Sequence, residues 1–561
     1  MYYFVFSAIV VFIIIGLLFI KSYYNKLRLA KKRLAKVQGK WGKPVNARRN
    51  FDLIRIYLDA INNKDKLSAQ TANDLDFNSV FNYIDRTNSK PGKQYFYNLL
   101  HNPTTDIDAL HELDNSVEDL NLDKPGREKL EVELSKLNST DAYFIADLFL
   151  KEHKPVFAPV MNFYIRVSPF LIIAALISLA VIPNIFSFIF LVLLFAYNIA
   201  IHFTSQKTIS TYTRSLPQML IMYKVAVTLV KSGKFGQVPG VKQSLTNLTG
   251  LKRALKFVDM ESGFVGESND IGYAAFQLFK LLFVIEPNTY TSSLKYISKY
   301  RGDIKEVYKF IGWADTLIAI QSIREGLPVY AKPEFTGTDG KLEITELFHP
   351  LVEDCIANSL YTTDADRGAL ITGSNMSGKT TFIKALALNT LLSQTIFTSC
   401  AKAYKAPVLK IQTSIKTGDN IDEQKSYFQA QASAILNIID GSSQKEEIKS
   451  LVIIDEIFRG TNTIERIAAA KSVLSYITAK QNFVFVSTHD LELAELLDED
   501  FIVYSFSDSK DGRVLVFDYL LKRGLLKSTN GIAILKSMGY PERVIDEANI
   551  ISERMMNKYL V

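Results

Sequence analysis

Cysteine is nearly missing from this 561-residue chain. Two occur, Cys355 and Cys400, far apart and without a CxxC pair. That argues against a disulfide framework and a zinc site, and two lone thiols fit a reducing compartment. Low-complexity tracts are absent, and no segment repeats at a 20–50-residue period, which excludes solenoid and propeller arrays. Acidic residues are missing from one stretch in particular. Residues 21–49 carry Lys21, Lys26, Arg28, Lys31, Lys32, Arg33, Lys36, Lys40, Lys43, Arg48 and Arg49 with no Asp or Glu among them. This excess is larger than the net charge of +7 on the whole chain, so the remainder is slightly acidic and no general polyanion-binding surface follows from the balance.

Formal charge is missing from two longer runs. Residues 2–20 have the length and apolarity of a membrane-crossing helix. A cleaved signal peptide would place positive charge before the apolar run and a small-residue cleavage site after it. Here the charge follows and no such site is present, so the reading is a retained anchor with its basic flank in the cytoplasm. The second run, Val167 to Ile201, contains no Asp, Glu, Lys or Arg and is broken by Pro183-Asn184. It predicts two short spans, 168–182 and 185–201, joined by a tight turn, with a re-entrant hairpin as the alternative. Lys154 and Arg166 before it and Lys207 after it put both ends on the cytoplasmic side. The expected location is the cell membrane, multi-pass, with the remaining domains cytoplasmic.

The stretch 369–382, ALITGSNMSGKTTF, reads as a buried strand, a glycine loop and the start of a helix. This is the context in which G-x-x-x-x-G-K-[ST] binds phosphate. Gly373 and Gly378 let the intervening Ser374, Asn375, Met376 and Ser377 turn their N–H groups inward, and the helix that opens near Lys379, Thr380 and Thr381 adds its partial positive charge. Lys379 is expected on the β- and γ-phosphates and Thr380 on Mg²⁺, so ATP and Mg²⁺ are the cofactors implied. A second strand, SLVIIDE, ends in Asp455 and Glu456, a metal-holding carboxylate and a general base for water. A third, NFVFVSTHD, ends in Thr488, His489 and Asp490, with His489 able to contact the γ-phosphate. The catalytic set is therefore Lys379, Glu456 and His489.

GSNMSGKTT, DEIFRGTNT and STHD, in that order and spacing, resemble the GPNMGGKST, DELGRGTST and ATHY of the MutS family of DNA mismatch-repair ATPases, within the wider ABC-type ATPases. The resemblance runs from about 70 to 561, interrupted by the apolar hairpin. GDNIDEQKSYFQAQ (418–431) is similar to the family segment ending Ser-Thr-Phe-x-x-Glu. That similarity implies a role for Ser426 on the γ-phosphate bound by a partner chain, hence a homodimer with composite sites. LFHPLVEDCIANSL (347–360) resembles the stretch before the phosphate loop, and 526–548 the dimerising helix-turn-helix. FNSVFNYIDRTNSKPGKQYFYNLLHNP (77–103) and 311–335 resemble the start and end of the family's helical core.

The fold expected is an α/β P-loop (ABC-type) ATPase domain plus an all-α core and lever domain, with an N-terminal transmembrane helix and an inserted transmembrane hairpin. The domains run 1–20 (anchor), 21–60 (basic juxtamembrane segment), 61–340 (helical core, interrupted by 167–201) and 341–561 (ATPase with its dimerisation segment). Departures from the family pattern are informative. No Phe-x-Glu mismatch wedge precedes the core, Phe458 and Lys425 replace glycines, and Gln431 replaces a glutamate. Cys355 stands where the family often stacks an aromatic on adenine, with Tyr361 as the substitute. The resemblance implies ATP-driven conformational change and DNA binding related to mismatch repair. In the bland reading the basic stretch 21–49 serves lipid headgroups rather than DNA. The alternative function is an ABC-type ATPase driving transport or protein remodelling with no DNA ligand. Against transport stand the few spans, the missing LSGGQ-type signature and the absence of charge inside the spans.

Overall fold

The computed structural model describes residues 23–24, 27–45, 48–61, 66–120, 123–152, 157–236, 239–250, 271–337, 340–363, 367–374, 376–415, 427–443, 448–511, 514–525, 532, 535–536 and 538–559. The anchor at 2–20 lies outside the described residues, as do Asn375 and Ser426 among the expected site residues. Internal packing divides the chain into two units, residues 1–62 with 85–98 and 115–325, and residues 63–84 with 99–114 and 326–561.

Every regular element described in the first unit is helical. The charge-free run forms a hairpin of α1 (Pro159–Val181) and α2 (Ile185–Ser232). The turn falls where Pro183-Asn184 predicts it, and Asn184 caps α2 by accepting from the Ser187 N–H at 2.8 Å. Both helices run longer than the expected 168–182 and 185–201. Pro159 opens α1 at its first turn, where a proline costs no hydrogen bond. Past its apolar part α2 continues as an ordinary helix, burying Leu216, Met219, Leu220 and Val225 within the unit, until Gly233 takes the left-handed C-terminal position. Over Pro159–Val181 and Ile185–Ser205 the two helices are long and apolar enough to cross a membrane, and only 22% of each window is buried in protein. Two shorter helices, α3 (Ile271–Leu282) and α4 (Ile285–Lys299), pack on the hairpin, α3 through α2 and α4 through both helices.

The axis of the unit is α5 (Arg301–Gly326), buried along most of its length. Asp315 lies fully buried at its middle and accepts from the backbone N–H of Asn88 and Ser89, from the Asn88 amide and from the Ser89 hydroxyl at 2.6–3.1 Å. It therefore caps the helix Lys90–His101 from outside, a carboxylate on a helix N-terminus. Burial raises its pKa, and these bonds oppose the rise. Gly92 is required here, since a Cβ would lie 2.0 Å from an Asp315 carboxyl oxygen. Two cations of the basic stretch are drawn into this interior. Lys40 donates to the Arg86 carbonyl at 2.9 Å, and burial lowers its pKa against the pull of Glu131 and Asp315. Arg49 pairs with buried Asp85 at 2.8 Å, joined there by Lys93. Asp85 also bonds the Thr87 hydroxyl, at 2.5 Å, so the Asp-x-Thr motif is an ion-pair anchor. Lys40 and Arg49 are therefore tethers of the N-terminal segment, whereas Arg28, Lys31, Lys32, Lys36, Lys43 and Arg48 stay exposed.

The second unit is a mixed α/β domain. A six-stranded sheet runs β10-β9-β4-β8-β7-β6, with β4 (Gly368–Thr372), β6 (Lys410–Ser414), β7 (Ser450–Asp455), β8 (Phe483–Ser487) and β9 (Phe501–Asp511) parallel and β10 (Val514–Arg523) antiparallel. The strands β4 and β8 are buried throughout and β7 nearly so, which is why GALIT, SLVIID and FVFVS read as continuous apolar runs rather than alternating ones. A smaller sheet, β1-β5-β2-β3, is built from Glu334–Thr336, Ala403–Pro407, Glu343–Leu347 and Asn358–Tyr361. Helices α6 (Lys379–Ile396), α7 (Tyr427–Ser443), α8 (Thr463–Thr478) and α9 (Glu542–Tyr559) complete the main elements. On one side, Leu370, Val452, Ile454, Val484 and Val486 of the sheet pack against Ile435, Ile438, Ala470, Leu474 and Ile477 of α7 and α8. Each such buried Val, Leu or Ile side chain contributes about 1.5–3 kcal/mol. The short helices Ala69–Asp74 and Phe77–Ile84 belong to this unit. Asp74 accepts from Thr413 Oγ1 and Ile415 N at the end of β6, and Asp76 pairs with Lys384 of α6 at 2.8 Å.

Candidate functional site

Parallel strands deliver their following loops to one edge, and the crevice beyond their carboxyl ends is where such sheets bind ligands. β4, β7 and β8 are adjacent, so the loops after Thr372, Asp455 and Ser487 meet. Gly373 (φ +139°) and Gly378 (φ +106°) occupy conformations that side chains resist. A Cβ on Gly373 would also lie 2.9 Å from the Phe506 carbonyl. Met376 takes φ 73° and stands exposed at the loop tip. Ser377 is fully buried, and its hydroxyl has no hydrogen-bond partner among the described residues.

Lys379 opens α6 and folds its ammonium back over the loop, donating to the Gly373 and Ser374 carbonyls at 2.8 and 2.9 Å. Burial lowers its pKa against the nearby carboxylates of Glu456 and Asp455. Thr380 donates its hydroxyl to Asp455 Oδ2 at 2.8 Å, and Ser487 donates to the other carboxyl oxygen of Asp455. Nε2 of His489 lies 3.4 Å from both Lys379 Nζ and Glu456 Oε1. The second oxygen of Glu456 pairs with Arg459. Burial pushes the Glu456 carboxyl up, but the His489 hydrogen bond and the charges of Arg459 and Lys379 outweigh it and hold its pKa below the ordinary value. Asp490 forms a two-point ion pair with Arg466 of α8 at 2.6 and 3.0 Å, which fixes the turn after His489.

Lys379, Thr380, Asp455, Glu456 and His489 are thus brought together, as the motif spacing predicts. Ser374, Met376, Gly378, Lys379, Thr380, Thr381 and Glu456 line a cavity of about 430 Å³. Its other wall is mixed, with Phe348, Ile356, Phe506 and Tyr519 beside Glu353, Asp354 and Asn358. Cys355 is on that wall. Tyr361 is not among the lining residues, and its hydroxyl instead shares a hydrogen bond with Thr345 at 3.2 Å. An aromatic ring that does line the cavity is that of Tyr519, which sequence reading did not single out. It sits in a β-bulge of β10 at φ 53°, and Asn358 clamps the bulge, donating to Tyr519 O at 3.0 Å and accepting from Leu521 N at 2.7 Å. His349 also lines the cavity, and burial together with Lys384 lowers its pKa to about 4.

Gln431 was legible only as a departure from the family pattern. It is fully buried at the start of α7 and grips the DEIFRG loop from both sides, donating to the Glu456 carbonyl at 2.8 Å and accepting from the Arg459 N–H at 3.0 Å. The loop needs a grip, because Glu456 and Phe458 both lie at positive φ, 53° and 59°. Phe458, in place of glycine, packs at a tilt against Phe428 of α7 with centroids 5.8 Å apart.

An oxygen-only pair, the Thr380 hydroxyl and the Asp455 carboxylate, suits Mg²⁺ better than a softer metal. Among the described residues no group of three or more His, Cys, Asp or Glu is placed to hold a metal ion by itself.

The arrangement defines a parallel α/β domain whose glycine loop, carboxylates and histidine converge beside a ligand-sized cavity. Its likeness follows from comparison with known proteins. Residues 369–556 match the profile of MutS domain V, so over this span the chain is similar to the MutS family. It is 31% identical over 270 residues to the DNA mismatch repair protein MutS of Ruminiclostridium cellulolyticum, covering 46% of this chain and 30% of that protein. It is 29% identical over 289 residues to the MutS protein homolog 4 of Mus musculus, covering 48% and 29%. The aligned part spans about a third of the length of these relatives.

Proposed function

We propose that the chain is a membrane-anchored ATPase of MutS type, binding and hydrolysing Mg-ATP at composite sites of a homodimer and coupling the nucleotide state to movement of its helical unit. The observation that carries this reading is the meeting of Lys379, Thr380–Asp455 and Glu456–His489 at the ends of three adjacent buried strands.

In this reading the backbone of 373–378 cradles the phosphates and Lys379 turns from the loop carbonyls to the β- and γ-oxygens. Phe506, Ile356 and Tyr519 hold the base. Thr380 and Asp455 would hold Mg²⁺, which supplies charge neutralisation on the phosphates when bound. Glu456 accepts the proton of the attacking water, its lowered pKa keeping it ionised, and His489, 3.4 Å from that carboxylate, would contact the γ-phosphate. Ser426 of each chain reaches the γ-phosphate in the other. The apolar residues Val544, Ile550 and Ile551, exposed on α9, support a second copy as the partner of that helix.

DNA is the proposed macromolecular ligand, held by sequence-independent phosphate contacts and without a mismatch wedge. The hairpin α1–α2 is read as membrane-embedded, with Phe170, Ile177, Phe186 and Phe190 among its exposed apolar residues, and the rest of the protein as cytoplasmic. The test is nucleotide binding and turnover by the detergent-solubilised full chain. Lys379→Ala should lose Mg-ATP binding, whereas Glu456→Gln should retain binding and lose hydrolysis by about 10²–10⁴-fold, the usual contribution of a positioned base. Unchanged turnover in Glu456→Gln would remove the assigned base.

A further inference from the structure

We infer that α3 and the break that follows it form a third membrane-contacting element, a re-entrant segment that turns against the side of the α1–α2 hairpin and meets lipid acyl chains through Leu278 and Phe279. The inference rests on the reading of that hairpin as membrane-embedded.

Three observations carry it. First, the break lies against the apolar part of the hairpin. Phe283 packs on the cluster of Ile172, Ala175, Leu191 and Leu194, the facing residues of the two candidate spans, and Val284 packs with Ile165 and Ile201. Second, the break is chemically equipped for a water-poor setting. Val284 leaves the helix in a left-handed conformation (φ 50°, ψ 40°) that a β-branched residue adopts only under constraint. The Leu282 carbonyl at the end of α3 receives the amide of Asn198 at 2.6 Å. Asn198 is fully buried in the hairpin, and its oxygen accepts from Tyr164 and Ser168 at 2.8 and 2.9 Å. Irregular backbone at membrane depth persists only where protein groups satisfy it in this way. Third, the one cation of α3 is removed from solvent by pairing. Lys280 is 4% exposed and lies 2.6 Å from Glu286, which also has His202 at 3.7 Å. Its apolar neighbours Leu278 and Phe279 are 56% and 42% exposed. A helix of 12 residues is too short to cross a bilayer, so the element enters and returns.

The experiment uses the full chain in lipid nanodiscs, in a Cys355→Ser background, with a nitroxide at Phe279→Cys. Phe190→Cys on the hairpin and Tyr296→Cys on α4 are the references, and Leu278→Cys is a second reporter should Phe279→Cys fold poorly. Collision with oxygen is compared with collision with a water-soluble nickel chelate. The expected result is that Phe279 and Leu278 favour oxygen as Phe190 does, while Tyr296 favours the chelate. A Phe279 label that behaves like Tyr296, or is shielded from both reagents by a second protein copy, overturns the inference and leaves the hairpin standing. A Phe190 label that favours the chelate overturns the hairpin reading and this inference with it.

Discussion

At the residue scale, the geometry separates groups that perform chemistry from groups that hold them. Gln431 touches no expected substrate atom, yet its amide fixes both ends of the segment bearing Glu456. Gln431→Leu is expected to lower kcat on the order of 10- to 100-fold, the cost of misplacing a reacting group by about an ångström, with nucleotide affinity unchanged. Gln431→Glu keeps the acceptor for Arg459 N but loses the donor to Glu456 O, so its rate should fall in between. Steady-state and binding measurements on the same preparations check this. Glu456 also makes a pH prediction. Because its pKa is depressed, the acid limb of hydrolysis lies below the ordinary carboxylate range. Arg459→Ala removes a charge that favours the anion, so the limb should move to higher pH, and a pH–rate profile reads the shift. Lys379, Asp455, Glu456 and His489 were legible in sequence because each sits within a few residues of a strand end, where motif spacing reports position. Gln431 and Tyr519 were not, because their partners lie 25 to 161 residues away and meet them only through the tertiary fold.

At the scale of elements, the expected strands β4, β7 and β8 and the hairpin turn were readable because burial on both faces and lack of charge leave direct marks on composition. The lengths of α1 and α2 were not, since their outer turns are ordinary helix stabilised by packing rather than by an apolar run. The basic stretch was misleading in part for a similar reason. Charge pattern marks Lys40 and Arg49 as surface groups, and only the fold reveals the carboxylates waiting for them. The cap at Asp315 predicts that Gly92→Ala, which drives a methyl group into that carboxylate, destabilises the helical unit by about 1–3 kcal/mol or more, as overpacked sites do. Denaturant titration followed by far-UV circular dichroism measures it. Asp85 predicts a pH effect. Burial raises its pKa, but Lys93 and Arg49 outweigh this and depress it, so its contribution is present above the ordinary carboxylate range and lost as pH falls through the depressed value. Arg49→Met, which strips one cation from a buried carboxylate, should cost about 3 kcal/mol at neutral pH.

At the scale of the whole molecule, the proposed function joins an ATP-driven dimer to a membrane. If DNA is the ligand, binding should weaken steeply with salt and differ little between homoduplex and mismatched DNA. A titration at two salt concentrations measures both, and absence of binding at low salt would favour protein remodelling instead. The composite site is the central claim, and it can be tested without knowing the cargo. Full-length chains carrying Glu456→Gln and full-length chains carrying Ser426→Ala are purified separately and then mixed, with exchange verified by differently tagged chains, and ATP turnover is measured. Each variant alone should be nearly inactive. In a mixed dimer one site collects both defects while the other has an intact Glu456 from one chain and an intact Ser426 from its partner, so turnover should reappear. A mixture that exchanges subunits and stays inactive would contradict the composite site.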